Sequence, residues 1–206
     1  MDSSGKYADA DVHEPGKNIM IKTSETHPLR IDSLKIPGIE GILGLTFCPG
    51  KKQLNAMTGI WDRSLDADLK VIKDWGASTV ISLLEWHELE ELSVKELPEV
   101  VKRYGLSWLI FQITDMQVPG DDFEIFWERK KHEIYNILKN AAKIVLHCKG
   151  GLGRTGTLAA RILIEHGVNP AEAIRLVRNE RIGAIENMAQ EEYILQEKWT
   201  KRPRKI

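Results

Sequence analysis

"KIVLHCKGGLGRTGTLAARILIEHG", residues 143–167, is the stretch whose reading decides the fold. A short apolar run ends at Cys148, and a turn holding Gly150, Gly151 and Gly153 follows. Arg154 and Thr155 then open a second, longer apolar segment. The first run has the length and bounds of a buried strand and the second those of a helix. Glycines in such a turn let successive backbone N–H groups point inward, and a turn feeding a helix N-terminus is an anion site. The backbone of Lys149, Gly150, Gly151, Leu152 and Gly153 forms the cradle. Arg154 adds a planar fork suited to two oxygens of a phosphate. A cysteine in that positive field is favoured as the thiolate. A thiolate beneath a bound phosphate is a nucleophile aimed at phosphorus. Thr155 can donate its hydroxyl to the departing sulfur, or equally satisfy backbone in the first helical turn.

Other glycine-rich turns fit less well. A Walker loop ends in Gly-Lys-Ser/Thr, whereas Arg-Thr follows Gly153 here. A dinucleotide fingerprint does not put a cysteine at the strand end. Metal binding is not expected, because Cys148 lacks a partner cysteine nearby and His147 is adjacent rather than at ligand spacing.

Working outward, strands and helices alternate. "GILGLTF" (41–47) reads as a strand stopped by Pro49 and Gly50, and "STVISLL" (78–84) and "LSWLIFQI" (106–113) read as two more. "RSLDADLKVIKDWGA" has helical apolar spacing closed by Gly76; the segment around Pro98, residues 123–141 and everything after Arg154 are also helical in character. Asn169–Pro170 marks a helix start. This alternation predicts a single α/β domain with a central, mostly parallel sheet flanked by helices. Ligands of such sheets bind at the carboxyl ends of strands, here "LEWHELEE", "TDMQVPGDD" and "CKGGLGR". Residues 1–35 read as a polar, mobile arm ending in a strand, 36–200 as the domain and 201–206 as a basic tail.

Composition bounds the partners. The 206 residues are 42% hydrophobic and 29% charged with a net charge of −1, so no global field favours nucleic acid. Two cysteines, Cys48 and Cys148, make no disulfide framework and fit a reducing cytoplasm. No run has the length of a membrane span, and the N-terminus lacks a secretory pattern.

"HCKGGLGRT" resembles the His-Cys-five residues-Arg-Ser/Thr signature of cysteine-dependent protein tyrosine phosphatases. "CPGKK", "VISLLEWHEL", "ITDMQVP" and "RIGAIENMAQEEYI" are similar, in order, to the dual-specificity branch, most of all to kinase-associated phosphatases and their bacterial relatives. The resemblance spans roughly residues 40–196 and implies a phosphatase-type fold. It implies phosphocysteine chemistry on phosphorylated protein, on phosphotyrosine and also phosphoserine or phosphothreonine, without metal or cofactor. It also implies roles. Asp115, on the loop closed by Pro119 and Gly120, is the general acid that protonates the leaving oxygen; Asp121 and Asp122 are the competing carboxylates. His147 orients the loop from behind, and Gln190 positions water. Lys149 also occurs in relatives acting on highly charged phosphates, which leaves phosphoinositides or phosphosugars as the alternative substrate. An inactive phosphate-binding module is the second alternative, although Cys, Arg and acid are all present. There is no Trp-Pro-Asp acid loop, which implies a shallower pocket. Trp86 either walls the site or packs, and Glu88, Glu90 and Glu91 read as a solvated helix start. Cys48 is read as a buried structural thiol, or as a redox partner of Cys148.

Overall fold

The computed structural model describes residues 20–196. In chain order the elements are β1 (Ile21–Lys22), β2 (Asp32–Lys35), β3 (Ile42–Phe47), β4 (Lys52–Ala56), β5 (Gly59–Asp62), α1 (Leu65–Asp74), β6 (Ala77–Ser82) and α2 (Trp86–Glu91). There follow α3 (Leu97–Arg103), β7 (Ser107–Ile110), α4 (Asp121–Lys139), β8 (Lys143–Cys148), α5 (Gly153–Glu165), α6 (Pro170–Glu180) and α7 (Met188–Leu195).

The main sheet has the order β2-β3-β8-β6-β7 and is parallel apart from the antiparallel edge strand β2. The α/β expectation is met, and the apolar run KIVLHC is the central strand, buried from Ile144 to Cys148. A strand covered on both faces has no reason to alternate, which is why KIVL reads as a continuous run. The chain passes from β3 to β6 and outward to β7 before β8 returns between β3 and β6. That return is the switch point at which the strand ends open into a crevice. It brings the segments leaving β3, β6 and β8 side by side.

α5 follows the glycine turn and is buried along its length from Gly153 to Ile164, packed on β3, β8, α6 and α7. Its two arginines, Arg154 and Arg161, are buried with carboxylate partners, which is what lets a helix carrying charge lie inside the molecule. α1 and α3 pack on each other and on β6 and β7. Ser64 caps α1 and Asn169 caps α6 through their side-chain oxygens, with Pro170 in the first turn as the sequence indicates.

The strand expected at the end of the polar arm is β2, which pairs with β3 while Leu29 and Leu34 enter the core. Two features go beyond the sequence reading. The arm also contributes β1, which pairs with β5. The hairpin β4–β5 completes a small three-stranded sheet with β1. Residues 1–19 and the basic tail lie outside the described residues.

A buried ion pair joins this N-terminal part to the strand ends. Asp68 accepts from Arg63 Nε at 2.8 Å and Nη2 at 2.7 Å, and from the Gly50 N–H at 2.8 Å. Gly50 has φ of 72°, and a Cβ there would strike Leu65. The turn after β3 is thereby set by a glycine and a carboxylate. Removing the carboxylate strands a buried guanidinium, so Asp68→Ala should lower unfolding free energy by about 3–5 kcal/mol. Urea denaturation followed by circular dichroism measures this, and a loss under 1 kcal/mol would contradict it.

Candidate functional site

The loop from Cys148 to Arg154 lies at the carboxyl end of β8, against the end of β3. Gly151 adopts φ of 72° and is packed so closely on Thr46 and Phe47 that a Cβ would run into their backbone. The conformation and the close approach both demand glycine. Behind the loop, Arg181 donates through Nε to the Gly151 carbonyl at 2.5 Å and through Nη1 to Asp32 at 2.7 Å. The edge strand β2 therefore helps to hold the turn.

Cys148 is buried, and its Sγ accepts the Gly151 N–H at 3.2 Å. Arg154 opens into the same space with its side chain 1% exposed. Its Nη1 donates to Glu88 Oε2 at 2.6 Å, to the Ile113 carbonyl at 2.9 Å and to the Leu83 carbonyl at 3.2 Å; Nη2 donates to Glu88 Oε1 at 2.8 Å. Burial pulls the guanidinium pKa down, but Glu88, Cys148 and Asp115 raise it on balance. In turn, burial pushes the Glu88 carboxyl up, and bonds from Arg154 and the Glu85 N–H hold it below the usual range.

Glu88 corrects the reading of 88–91 as a solvated helix start. Glu90 and Glu91 are exposed, whereas Glu88 is buried and grips the arginine. A local signal exists: Glu85 and Glu88 form a capping box at the start of α2. It shows that Glu88 turns back toward the helix start without revealing the arginine beyond.

The structure brings Asp115 to the same place. Its Oδ1 is 2.9 Å from Arg154 Nη2, and its Oδ2 is 4.0 Å from Lys149 Nζ. Asp121 and Asp122 instead occupy the exposed first turn of α4. Met116 beside Asp115 has φ of 62°, and its carbonyl accepts from Asn187 Nδ2 at 2.9 Å.

His147 is fully buried. Trp108 Nε1 donates to Ser82 Oγ at 2.8 Å, and the same hydroxyl lies 2.6 Å from His147 Nε2. Burial pushes this imidazole down to about 4, outweighing the neighbouring Cys148 main chain. Its ring is held on the β6 side of the sheet by Ser82.

Thr155 is buried, but its Oγ1 has no hydrogen-bond partner among the described residues. The donation to sulfur is not made in this state. Gln190, a residue that looks like surface on sequence alone, is buried instead. Its Oε1 accepts the Glu186 N–H at 3.0 Å, and its Nε2 is unpartnered beside Gly153. Glu186 accepts the Gly153 N–H at 2.6 Å, so a carboxylate sits on one amide of the cradle. Trp86, 53% exposed, meets Trp108 edge-on with centroids 5.8 Å apart. Cys48 and Cys148 are both free thiols. Among the described residues no cluster of His, Cys, Asp and Glu could hold a metal ion, and no helix is long and apolar enough to cross a membrane.

Comparison with known proteins adds the following. Residues 48–168 match the model of a family described as polymorphic toxin system, DSP-PTPase phosphatase. The chain is 30% identical over 175 residues to rat cyclin-dependent kinase inhibitor 3, covering 82% of this chain and 79% of that protein. A crystal structure of kinase associated phosphatase, carrying serine in place of its catalytic site cysteine, superposes with a TM-score of 0.72 at 25% identity over 85% of this chain and 98% of that one. PTPMT1 in complex with PI(5)P shares the fold, with a TM-score of 0.58 at 20% identity over 77% of this chain and 90% of that one.

The buried imidazole sets a pH dependence. The unfolded chain binds a proton on His147 below about pH 6.5, and the folded protein does not until about pH 4. Unfolding therefore takes up a proton in this window, and stability falls as pH falls. The loss from His147 should reach about 3 kcal/mol by pH 4. His147→Asn should flatten the urea-unfolding free energy between pH 6.5 and 4; a slope equal to that of the wild type would contradict the assignment.

Proposed function

The chain belongs to the DSP-PTPase family of cysteine-dependent phosphatases, and from that premise we propose that it hydrolyses phosphomonoesters on phosphoproteins with Cys148 as its nucleophile. The observation that carries this reading is the convergence of a buried sulfur, a buried guanidinium and a half-exposed carboxylate at one strand end. Sγ lies under the Gly151 N–H, and Arg154 contacts Asp115 at 2.9 Å.

The phosphate takes the free side of the Arg154 fork and the inward N–H groups of residues 149–153. Cys148 Sγ attacks phosphorus while the bond from phosphorus to the leaving oxygen breaks. Asp115 gives its proton to that oxygen. A phosphocysteine remains. Water then attacks phosphorus, Asp115 takes a proton from it, and the S–P bond breaks to release phosphate and the thiolate. Gln190 Nε2 is a free buried donor able to hold that water. Thr155 Oγ1, likewise unpartnered, is available to the departing sulfur once it rotates. The positive charge that the transition state needs comes from Arg154 and the loop amides, and no step calls for a metal or an organic cofactor. His147 remains neutral behind the loop and takes no part as a base.

Phosphotyrosine is the preferred class, with phosphoserine and phosphothreonine admitted by a mouth in which Asp115 is half exposed. Lys149 at the rim suits phosphoinositides and phosphosugars as well, but nothing in the site favours them over phosphoprotein. Two free thiols fit a reducing compartment, the cytoplasm.

Hydrolysis of p-nitrophenyl phosphate tests the chemistry. Cys148→Ser should abolish turnover, chelator should leave it unchanged, and Asp115→Asn should lower kcat by about 10²- to 10⁴-fold and remove the alkaline limb of the pH profile. Turnover that survives Cys148→Ser would sink the mechanism. A panel of phosphopeptides and phosphoinositides decides between the substrate classes.

A further inference from the structure

Most buried cations near the loop have a carboxylate. Arg154 has Glu88, Arg63 has Asp68 and Arg181 has Asp32. Lys51, in the turn after β3, does not. It is 4% exposed and forms no ion pair among the described residues. Its Nζ donates to the Lys149 carbonyl at 3.3 Å and lies over the rings of Trp61 and Phe47, 4.5 and 5.1 Å from their centroids. The Lys149 carbonyl also accepts the Cys48 N–H at 3.4 Å.

A buried ammonium without an anion is unfavourable, and proteins rarely keep one. Burial pushes Lys51 down to about 8, while the neighbouring thiols Cys48 and Cys148 favour its charge and Arg63 and Lys149 oppose it. Cys48 does not serve as the missing anion, because burial raises its thiol far above the ordinary value. Cys148 remains, one residue before the carbonyl that Lys51 holds. The other charges around Cys148 are Lys149, Arg154, Glu88 and Asp115, with neutral His147 behind and Cys48 alongside. All four have partners: Glu88 takes both arms of Arg154, and Asp115 lies between the rest of the fork and Lys149 Nζ, which is 4.0 Å away. The positive charge beside the sulfur that no carboxylate answers is that of Lys51.

We propose that Lys51 is a positioning residue for Cys148: it fixes the first turn of the loop through the Lys149 carbonyl, and its ammonium is the buried counter-charge of the Cys148 thiolate. This rests on the reading of Cys148 as the nucleophile. The aromatic faces of Phe47 and Trp61 hold the ammonium where a carboxylate would quench it.

The test is the rate of Cys148 alkylation by iodoacetamide between pH 5 and 9 in the full chain, with the modified cysteine identified by peptide mass. Lys51→Met removes the charge and the donor, Lys51→Gln removes the charge and keeps a donor, and Lys51→Arg keeps both. At pH 6 both neutral variants should alkylate about tenfold more slowly than wild type, and Lys51→Arg should stay near wild type. Near-ultraviolet circular dichroism checks the fold; if the Met variant is unfolded, the Gln variant carries the comparison. Equal rates in the wild type and the folded neutral variants overturn the inference, as does Lys51→Arg slowing as much as Lys51→Gln. A wild-type rate no faster than that of a free cysteine at pH 6 overturns instead the activated nucleophile on which the inference rests.

Discussion

Arg154 is a buried cation filled from one side. A guanidinium at 1% exposure is tolerable only if its donors are met, and Glu88 meets two of them with both of its oxygens. The carbonyls of Leu83 and Ile113 take more. Those partners come from the ends of β6 and β7 and from the first turn of α2. One side chain therefore ties its own helix start to the β6–α2 junction and to the end of β7, and the strand order that returns β8 beside β6 is what makes this possible. Because the fork is planar, gripping one edge fixes the direction of the other. The loop around Cys148 inherits its orientation from that bond pair.

The charges around the sulfur divide into those that are answered and those that are not. Arg181 and Asp32 neutralise each other while tying the back of the loop to the edge strand. Arg63 and Asp68 do the same for the turn that carries Lys51. Both pairs are structural, since each is buried and each holds a main-chain group in place: the Gly151 carbonyl in one case and the Gly50 N–H in the other. What they leave unneutralised faces Cys148. Lys51 and the open edge of Arg154 are what these pairs leave beside it, in a molecule whose net charge is −1. In the proposed reaction a dianionic phosphate meets cations there rather than a field over the surface as a whole.

The segment from Lys143 to Thr155 is legible in the sequence because its chemistry is local: strand, turn, helix start, thiol and guanidinium all fall within thirteen residues. Asp115 is legible for a related reason, as a carboxylate at a strand end in a loop closed by proline and glycine. Glu88 is not, because its partner lies 66 residues away and its neighbours Glu90 and Glu91 are solvated. Lys51 looks like any turn lysine until Phe47 and Trp61 close over it. The hairpin of β4 and β5 escapes a periodicity reading because its faces are mixed, with Leu54 73% exposed. In each case the missing information is a tertiary contact that overrides a local pattern.

Asp115 and Gln190 arrive from different ends of the chain, yet one asparagine holds both. Asn187 Nδ2 donates to the Met116 carbonyl at 2.9 Å, and its Oδ1 accepts the Gln190 N–H at 2.9 Å as the cap of α7. The acid loop and the helix bearing the buried amide are thus fastened to each other across the mouth. Without substrate, the Asp115 carboxylate rests against Arg154. A phosphate competes for that same guanidinium edge with more charge and more acceptors, and the carboxylate must give way as it binds. The loop that carries the carboxylate is tethered at Met116 by the Asn187 bond. In the proposed reaction that same carboxyl group supplies the proton to the phosphate's ester oxygen. One residue therefore serves as placeholder on Arg154 before the substrate binds and as proton donor after it.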